Sequence, residues 1–131
     1  MEELKVLLVD DEKEFVSTLA ERLQLRGIHA TTASEGEEAL RLIEADPPQV
    51  VVLDIMMPGL GGMDVLKRIK AQHPQIRVIL LTGQGSPKDG VEGIRLGAFD
   101  CLMKPLRIDE FIGKIREAVQ AGKTGGGKRA K

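Results

Sequence analysis

The residues with the most chemical capacity stand directly after apolar runs. Asp10 and Asp11 follow Leu4 to Val9, Asp54 follows Val50 to Leu53, Thr82 follows Val78 to Leu81, and Lys104 follows Cys101 to Met103. If these runs are parallel strands of one sheet, their ends share an edge, and three carboxylates, a hydroxyl and an amine converge there. Carboxylates crowded into one crevice stay ionised only with a cation among them. Hard oxygen donors in this number suit Mg²⁺, which keeps several waters and shares its coordination with phosphate oxygens. Lys104 offers a compact positive charge to a phosphoryl oxygen, Thr82 offers a hydrogen bond to another, and Gly83 leaves room beside it. Such a set fits phosphoryl transfer to a carboxylate: metal and lysine neutralise the equatorial oxygens while an aspartate attacks in line.

Taken singly, each of these residues has a plainer role. Asp10 or Asp11 alone reads more readily as a helix N-cap, and Asp54 before Pro58-Gly59 as a turn former. Thr82 alone is a β-branched strand residue and Lys104 a solvated strand end. The weight lies in all five falling at strand ends. His29 and His73 are isolated and read as surface or loop residues, Met56 and Met57 as loop residues, and Cys101 as a small hydrophobe in a strand.

The elements that would position this set alternate regularly. Leu4 to Val9 is a run suited to a strand buried on both faces. Glu12 to Arg26 places Phe15, Leu19, Leu23 and Leu25 at near-helical spacing, and Gly27 stops the helix. Ile28 to Ala33 is a shorter, more polar strand that suits a sheet edge. Ser34 with Glu37 reads as a capping box, opening a helix with Ala39, Leu40, Leu42 and Ile43 inward and ending before Pro47-Pro48. Val50 to Leu53 is a second buried strand. Pro58 to Gly62 is a loop, and Met63 to Ala71 a helix with Val65, Leu66 and Ile69 inward. Val78 to Leu81 is the next strand. Ser86-Pro87 reads as N-cap and first helical position of a helix that Gly90 and Gly93 should make the weakest. Cys101 to Met103 and Ile108 to Val119 form the last strand and helix, the helix turning Phe111, Ile112, Ile115 and Val119 inward. Five strand–helix units call for a parallel sheet with helices on both faces. The reading is a flavodoxin-like (βα)5 fold of strand order 2-1-3-4-5, because a closed barrel would need eight units.

Composition limits the functions open to such a domain. A chain of 131 residues holds one domain, assigned to 1–121, with a Gly- and Lys-rich tail at 122–131 expected to be disordered. The formal net charge of −1 provides no field towards nucleic acid or membrane. One cysteine excludes an internal disulfide framework and a Cys-rich zinc site. No apolar run approaches a membrane span and no signal peptide opens the chain, so a cytoplasmic home is expected.

The ordered set Val9-Asp10-Asp11, Leu53 to Gly62, Leu81-Thr82-Gly83 and Lys104-Pro105-Leu106 resembles the receiver domain of bacterial two-component response regulators over about residues 3 to 121. The resemblance implies that Asp54 is the phospho-acceptor and that Asp10, Asp11, Asp54 and the Met56 carbonyl hold Mg²⁺. It implies that Thr82 and Lys104 grip the phosphoryl group and that the Lys104-Pro105 peptide is cis. It also implies a sensor histidine kinase or histidine phosphotransfer protein as donor and a downstream protein target. No direct nucleic-acid or membrane partner is implied, the domain is not an enzyme beyond its own phosphorylation and dephosphorylation, and a homodimer through the last helices is open. One departure stands out: Cys101 occupies the position, three before the lysine, where the family usually has an aromatic switch residue, and Phe99 points to the other register. Met56 and Gln84 occupy positions that tune water access, and because Met56 cannot orient a water, slow self-dephosphorylation is expected.

Three rivals stand against this reading. A haloacid-dehalogenase-type phosphatase needs a second Asp two residues after the nucleophile, where this chain has Met56. A flavin-binding module would need a phosphate loop after the first strand, where Asp10, Asp11 and Glu12 would repel it. The alternative kept open is a receiver-like interaction module that is not regulated by phosphorylation. The tail cations Lys123, Lys128, Arg129 and Lys131 read best as part of a linker.

Overall fold

Three strand runs of this chain, Val6 to Val9, Val50 to Leu53 and Val78 to Leu81, are apolar on every residue, which requires shelter on both sides of the sheet. The computed structural model describes residues 4–57, 59–83 and 87–123. In chain order the elements are β1 (Lys5–Val9), α1 (Lys13–Leu25), β2 (His29–Ala33), α2 (Gly36–Ala45), β3 (Val50–Asp54), α3 (Gly62–Gln72), β4 (Arg77–Thr82), α4 (Pro87–Arg95), β5 (Asp100–Met103) and α5 (Ile108–Lys123). All strand pairs are parallel and the order is β2-β1-β3-β4-β5. This is the expected flavodoxin-like fold.

Strand alternation divides the core into two layers. Val6, Leu8, Val50, Val52, Ile79 and Leu81 turn to one face and pack with Val16, Leu19 and Leu23 of α1 and Phe111, Ile112 and Ile115 of α5. Leu7, Val9, Val51, Leu53, Val78 and Leu80 turn to the other, against Ala39 and Ile43 of α2 and Val65, Leu66 and Ile69 of α3. Each large apolar side chain fully buried in this way contributes about 1.5–3 kcal/mol. β2 lies at one edge, and its residues His29, Thr31 and Thr32 are exposed, as its polarity foretold. No described helix is long and apolar enough to cross a membrane.

Several local expectations need correction. Leu25 and Leu42, expected in the core, are exposed, because each projects to the side of the buried stripe of its helix, which runs through Leu23 in α1 and through Ala39 and Ile43 in α2. Glu38, not Glu37, closes the turn before α2: its Oε1 accepts from the Ser34 backbone N–H at 2.9 Å and from Ser34 Oγ at 3.3 Å. The helix starts at Gly36 with Glu35 as its N-cap, so the box is shifted by one residue. Asp10 and Asp11 do not N-cap α1; Glu12 holds that position, and Asp10 Oδ1 accepts from its N–H at 2.9 Å. α5 runs on to Lys123, past the expected boundary at 121. The rest of the expected disordered tail, and the expected N-cap Ser86, lie outside the described residues.

The glycines of α4 have a packing reason. A Cβ on Gly93 would collide with the Leu80 side chain, and one on Gly90 would lie 3.2 Å from Cys101 Sγ. Their absence of side chain lets α4 approach β4 and β5 closely. α1 ends with Gly27 at φ 80°, Gly27 N–H bonding to Gln24 O and Ile28 N–H to Leu23 O, the paired bonds of a Schellman motif. Gly62 opens α3 directly against the end of β3, where a Cβ would strike the Asp54 carbonyl oxygen and lie 2.8 Å from Ile55 Cα. That neighbour is backbone and cannot give way. Gly62→Ala is therefore expected to destabilise the domain by roughly 1–3 kcal/mol. Gly113→Ala, on an exposed stretch of α5 with nothing within 4 Å, is expected to stabilise it by roughly 0.5–1 kcal/mol. Urea denaturation of both variants checks the pair, and equal effects of one sign would refute the packing argument.

Candidate functional site

Among the described residues, the buried polar or charged side chains are Asp10, Asp54 and Thr82. All three sit at the carboxyl ends of neighbouring strands. Asp10 follows β1 directly, and its N–H bonds to Ala33 O at 3.1 Å, which continues the ladder past the strand. Asp54 is the last residue of β3, paired with Leu81, and Thr82 is the last of β4, paired with Met103. Uncompensated burial of such groups is costly, so three together at one edge mark a place where fold stability yields to another demand.

Carboxylate oxygens of Asp10, Asp11 and Asp54 lie within 4.8 Å of one another, Asp10 and Asp54 buried and Asp11 exposed at the mouth. Lys104, just past β5, reaches in from the other side. Its Nζ is 2.8 Å from Asp10 Oδ2, 2.7 Å from Glu12 Oε1 and 4.0 Å from Asp54 Oδ2. Of these, the contact to Glu12 is an aligned hydrogen bond. The contact to Asp10 is an ion pair that leaves buried Oδ2 without a well-aligned donor. The Lys104 Nζ also stands 4.6 Å from the centre of the Phe15 ring, a cation–π distance. The Lys104-Pro105 peptide is cis, and Lys104 N–H donates to Thr82 O at 2.8 Å. The main chains of the two expected phosphoryl-binding residues are thus tied together across β4 and β5.

Met56 lies two residues after Asp54, its N–H donating to Asp54 Oδ1 at 3.2 Å and its side chain pointing to solvent. Cys101 packs with the cluster on the α2–α3 face, while Phe99 packs on the α1–α5 face, so the two are in opposite registers. Burial, then the charges of Asp100 and Asp89, push the Cys101 thiol up from its ordinary value, which suits an inert packing residue. Glu12 and Phe15 were not singled out as site residues by the sequence; Glu12 directly follows the Asp pair, and that adjacency was the available signal.

The pocket is electrostatically unbalanced. Burial raises the Asp54 pKa from 3.8 to about 6, and the Asp10 charge adds to the rise, while Lys104 and the Met56 N–H oppose it. Burial would lower the pKa of Lys104, but its close contacts with Asp10 and Glu12 and the charge of Asp54 outweigh that and raise it. Three carboxylates gathered within 4.8 Å, two of them buried and facing one ammonium, fit a hard divalent cation. Since Asp54 binds its proton more tightly folded than unfolded, its stabilising contribution is full below pH 3.8 and is lost as pH rises through about 6. In metal-free buffer, Asp54→Asn is therefore expected to gain stability over wild type as pH rises from about 4 to 7, on the order of 2 kcal/mol at about 1.4 kcal/mol per pKa unit. Urea melts across that range test it, and Mg²⁺ should narrow the gap by stabilising wild type. A difference independent of pH would contradict a strained, ionised Asp54.

A family model for the response regulator receiver domain matches residues 6–116. The chain is 44% identical over 112 residues to the transcriptional regulatory protein CpxR of Escherichia coli (strain K12), covering 86% of this chain and 47% of that protein. It is 38% identical over 112 residues to the alkaline phosphatase synthesis transcriptional regulatory protein PhoP of Bacillus subtilis (strain 168), with the same two coverages of 86% and 47%. The chain thus spans about half the length of the curated relatives it matches. The crystal structure of the NtrX receiver domain from Brucella abortus aligns with a TM-score of 0.84 and 35% identity, over 88% of this chain and 98% of that one. With a family match along most of its length, on this fold and around this acidic edge, the chain belongs to the receiver domains of two-component response regulators.

Proposed function

We propose that Asp54 accepts a phosphoryl group, from a sensor histidine kinase or a histidine phosphotransfer protein, and that the phosphorylated domain binds a downstream protein target. The observation that carries this is a buried Asp54 carboxylate set between two further carboxylates and a lysine. An Asp54 carboxylate oxygen attacks phosphorus in line, the bond from phosphorus to the donor nitrogen breaks, and an acyl phosphate results. Asp10, Asp11, Asp54 and the Met56 carbonyl would hold Mg²⁺. When bound, that ion would neutralise phosphoryl charge and offset the carboxylate repulsion. The Met56 N–H, donating to Asp54 Oδ1, orients the carboxylate. Lys104 supplies a cation to one phosphoryl oxygen and Thr82 a hydroxyl donor to another.

The output differs from the usual aromatic switch. Cys101 is packed against α4: a Cβ on Gly90 would lie 3.2 Å from its sulfur, which leaves little room for an aromatic ring in that direction. On this proposal the signal leaves through Thr82, whose main chain is bonded to that of Lys104. Gln84, the other expected modulator of water access, lies outside the described residues. A cytoplasmic seat belongs to the same proposal, supported by a single cysteine that can form no internal disulfide.

Incubation with acetyl phosphate and Mg²⁺ is expected to add one phosphate to wild type by intact-mass spectrometry, and none to Asp54→Asn or to wild type without the metal. No adduct on a folded wild type would favour an interaction module that does not use phosphorylation. Once formed, the adduct is expected to persist for minutes or longer, because the exposed Met56 thioether is too weak an acceptor to orient water. Met56→Asn is expected to shorten that lifetime several-fold, and a wild-type half-life of seconds would contradict the reasoning.

A further inference from the structure

Glu12 holds Lys104 nearer to the α1 side of the pocket than to Asp54. The aligned hydrogen bond of Lys104 Nζ goes to Glu12 Oε1 at 2.7 Å, while Asp54 Oδ2 is 4.0 Å away. Glu12 is fixed at the start of α1 by its own main chain: its N–H donates to Asp10 Oδ1 at 2.9 Å and its carbonyl accepts from Val16 N–H at 3.1 Å. Phe15, one turn along, adds its ring at 4.6 Å. Carboxylate and ring together draw the ammonium to the α1 side of the pocket.

We infer that Glu12 is a positioning residue that competes with the phosphoryl group for Lys104 and so sets the resting state of the switch. The inference deepens the proposed function and rests on it. To point an N–H squarely at a phosphoryl oxygen on Asp54, the ammonium must shift from its place 2.7 Å from Glu12 Oε1 towards Asp54, whose Oδ2 is 4.0 Å away. The Glu12 side chain is 61% exposed whereas the Asp10 side chain is 1% exposed. Solvent can hydrate Glu12 once it is released but cannot do the same for Asp10. The exchange therefore takes the lysine from Glu12, the partner whose loss is cheaper. No bond to carbon or phosphorus changes in this step; a hydrogen bond is traded. Glu12 thereby favours the unphosphorylated arrangement, and its removal favours the phosphorylated one.

The test compares wild type, Glu12→Gln, Lys104→Met and the double variant, with beryllofluoride and Mg²⁺ as the phosphoryl mimic and acetyl phosphate as donor. Glu12→Gln is expected to bind beryllofluoride roughly three- to fivefold more tightly, the size of one partly exposed charged contact. Its phosphorylated form is expected to outlast that of wild type by a similar factor. In the Lys104→Met background the substitution is expected to change neither, a coupling that a merely structural role of Glu12 would not produce. An equal gain with and without Lys104 would overturn the inference in favour of simple charge repulsion, and no gain in either background would overturn it outright. If wild type takes up neither beryllofluoride nor phosphate, the phospho-acceptor reading falls and the inference with it. A wild type that takes up both, beside an unaltered Glu12→Gln, overturns the inference alone.

Discussion

The structure turns on two carboxylates, Asp10 and Asp54, that are buried side by side with a single ammonium to share. A buried charge is tolerated only where paired and hydrogen-bonded, and Lys104 cannot fully satisfy both. The pocket relieves this partly by holding Asp54 towards its protonated form. It relieves it further by spending backbone donors: the Met56 N–H on Asp54 and the Glu12 N–H on Asp10. What remains is a site with more negative charge than it can hold comfortably, preorganised for a cation.

The rest of the fold serves that crowding. Parallel pairing brings the ends of β1, β3 and β4 to one edge, and the start of α3 must pass close behind Asp54, where only Gly62 fits. Lys104 must arrive from just beyond β5, and its main chain is held to Thr82 by a hydrogen bond at the sheet end. That bond ties the hydroxyl-bearing end of β4 to the lysine that follows β5.

On the far side of β4 and β5 the helix α4 lies unusually near the strands, admitted by Gly90 and Gly93. In the sequence these glycines read as a weakness of the helix, and their entropic cost stands. The structure adds the compensating reason, that each faces a side chain occupying the space a methyl would need. Cys101 is small for the same cause. The small thiol, the glycines and the missing aromatic are thus one packing solution.

The architecture was legible in the sequence, and so was the gathering of five polar residues at one sheet edge. Short apolar runs alternating with segments of helical period named five strand–helix units, because runs as short as Val50 to Leu53 and Val78 to Leu81 suit strands buried on both faces. The polar residues at those run ends, Asp10, Asp11, Asp54, Thr82 and Lys104, were legible because an open parallel sheet puts such ends together whatever the details. Helix ends were less legible, since caps depend on single hydrogen bonds, and Glu37 and Glu38 are chemically alike. Only the tertiary structure decided which carboxylate Lys104 prefers, that Glu12 and Phe15 belong to its surroundings, and why α4 carries glycines. Those outcomes depend on distances between residues up to 92 positions apart, which local pattern does not encode.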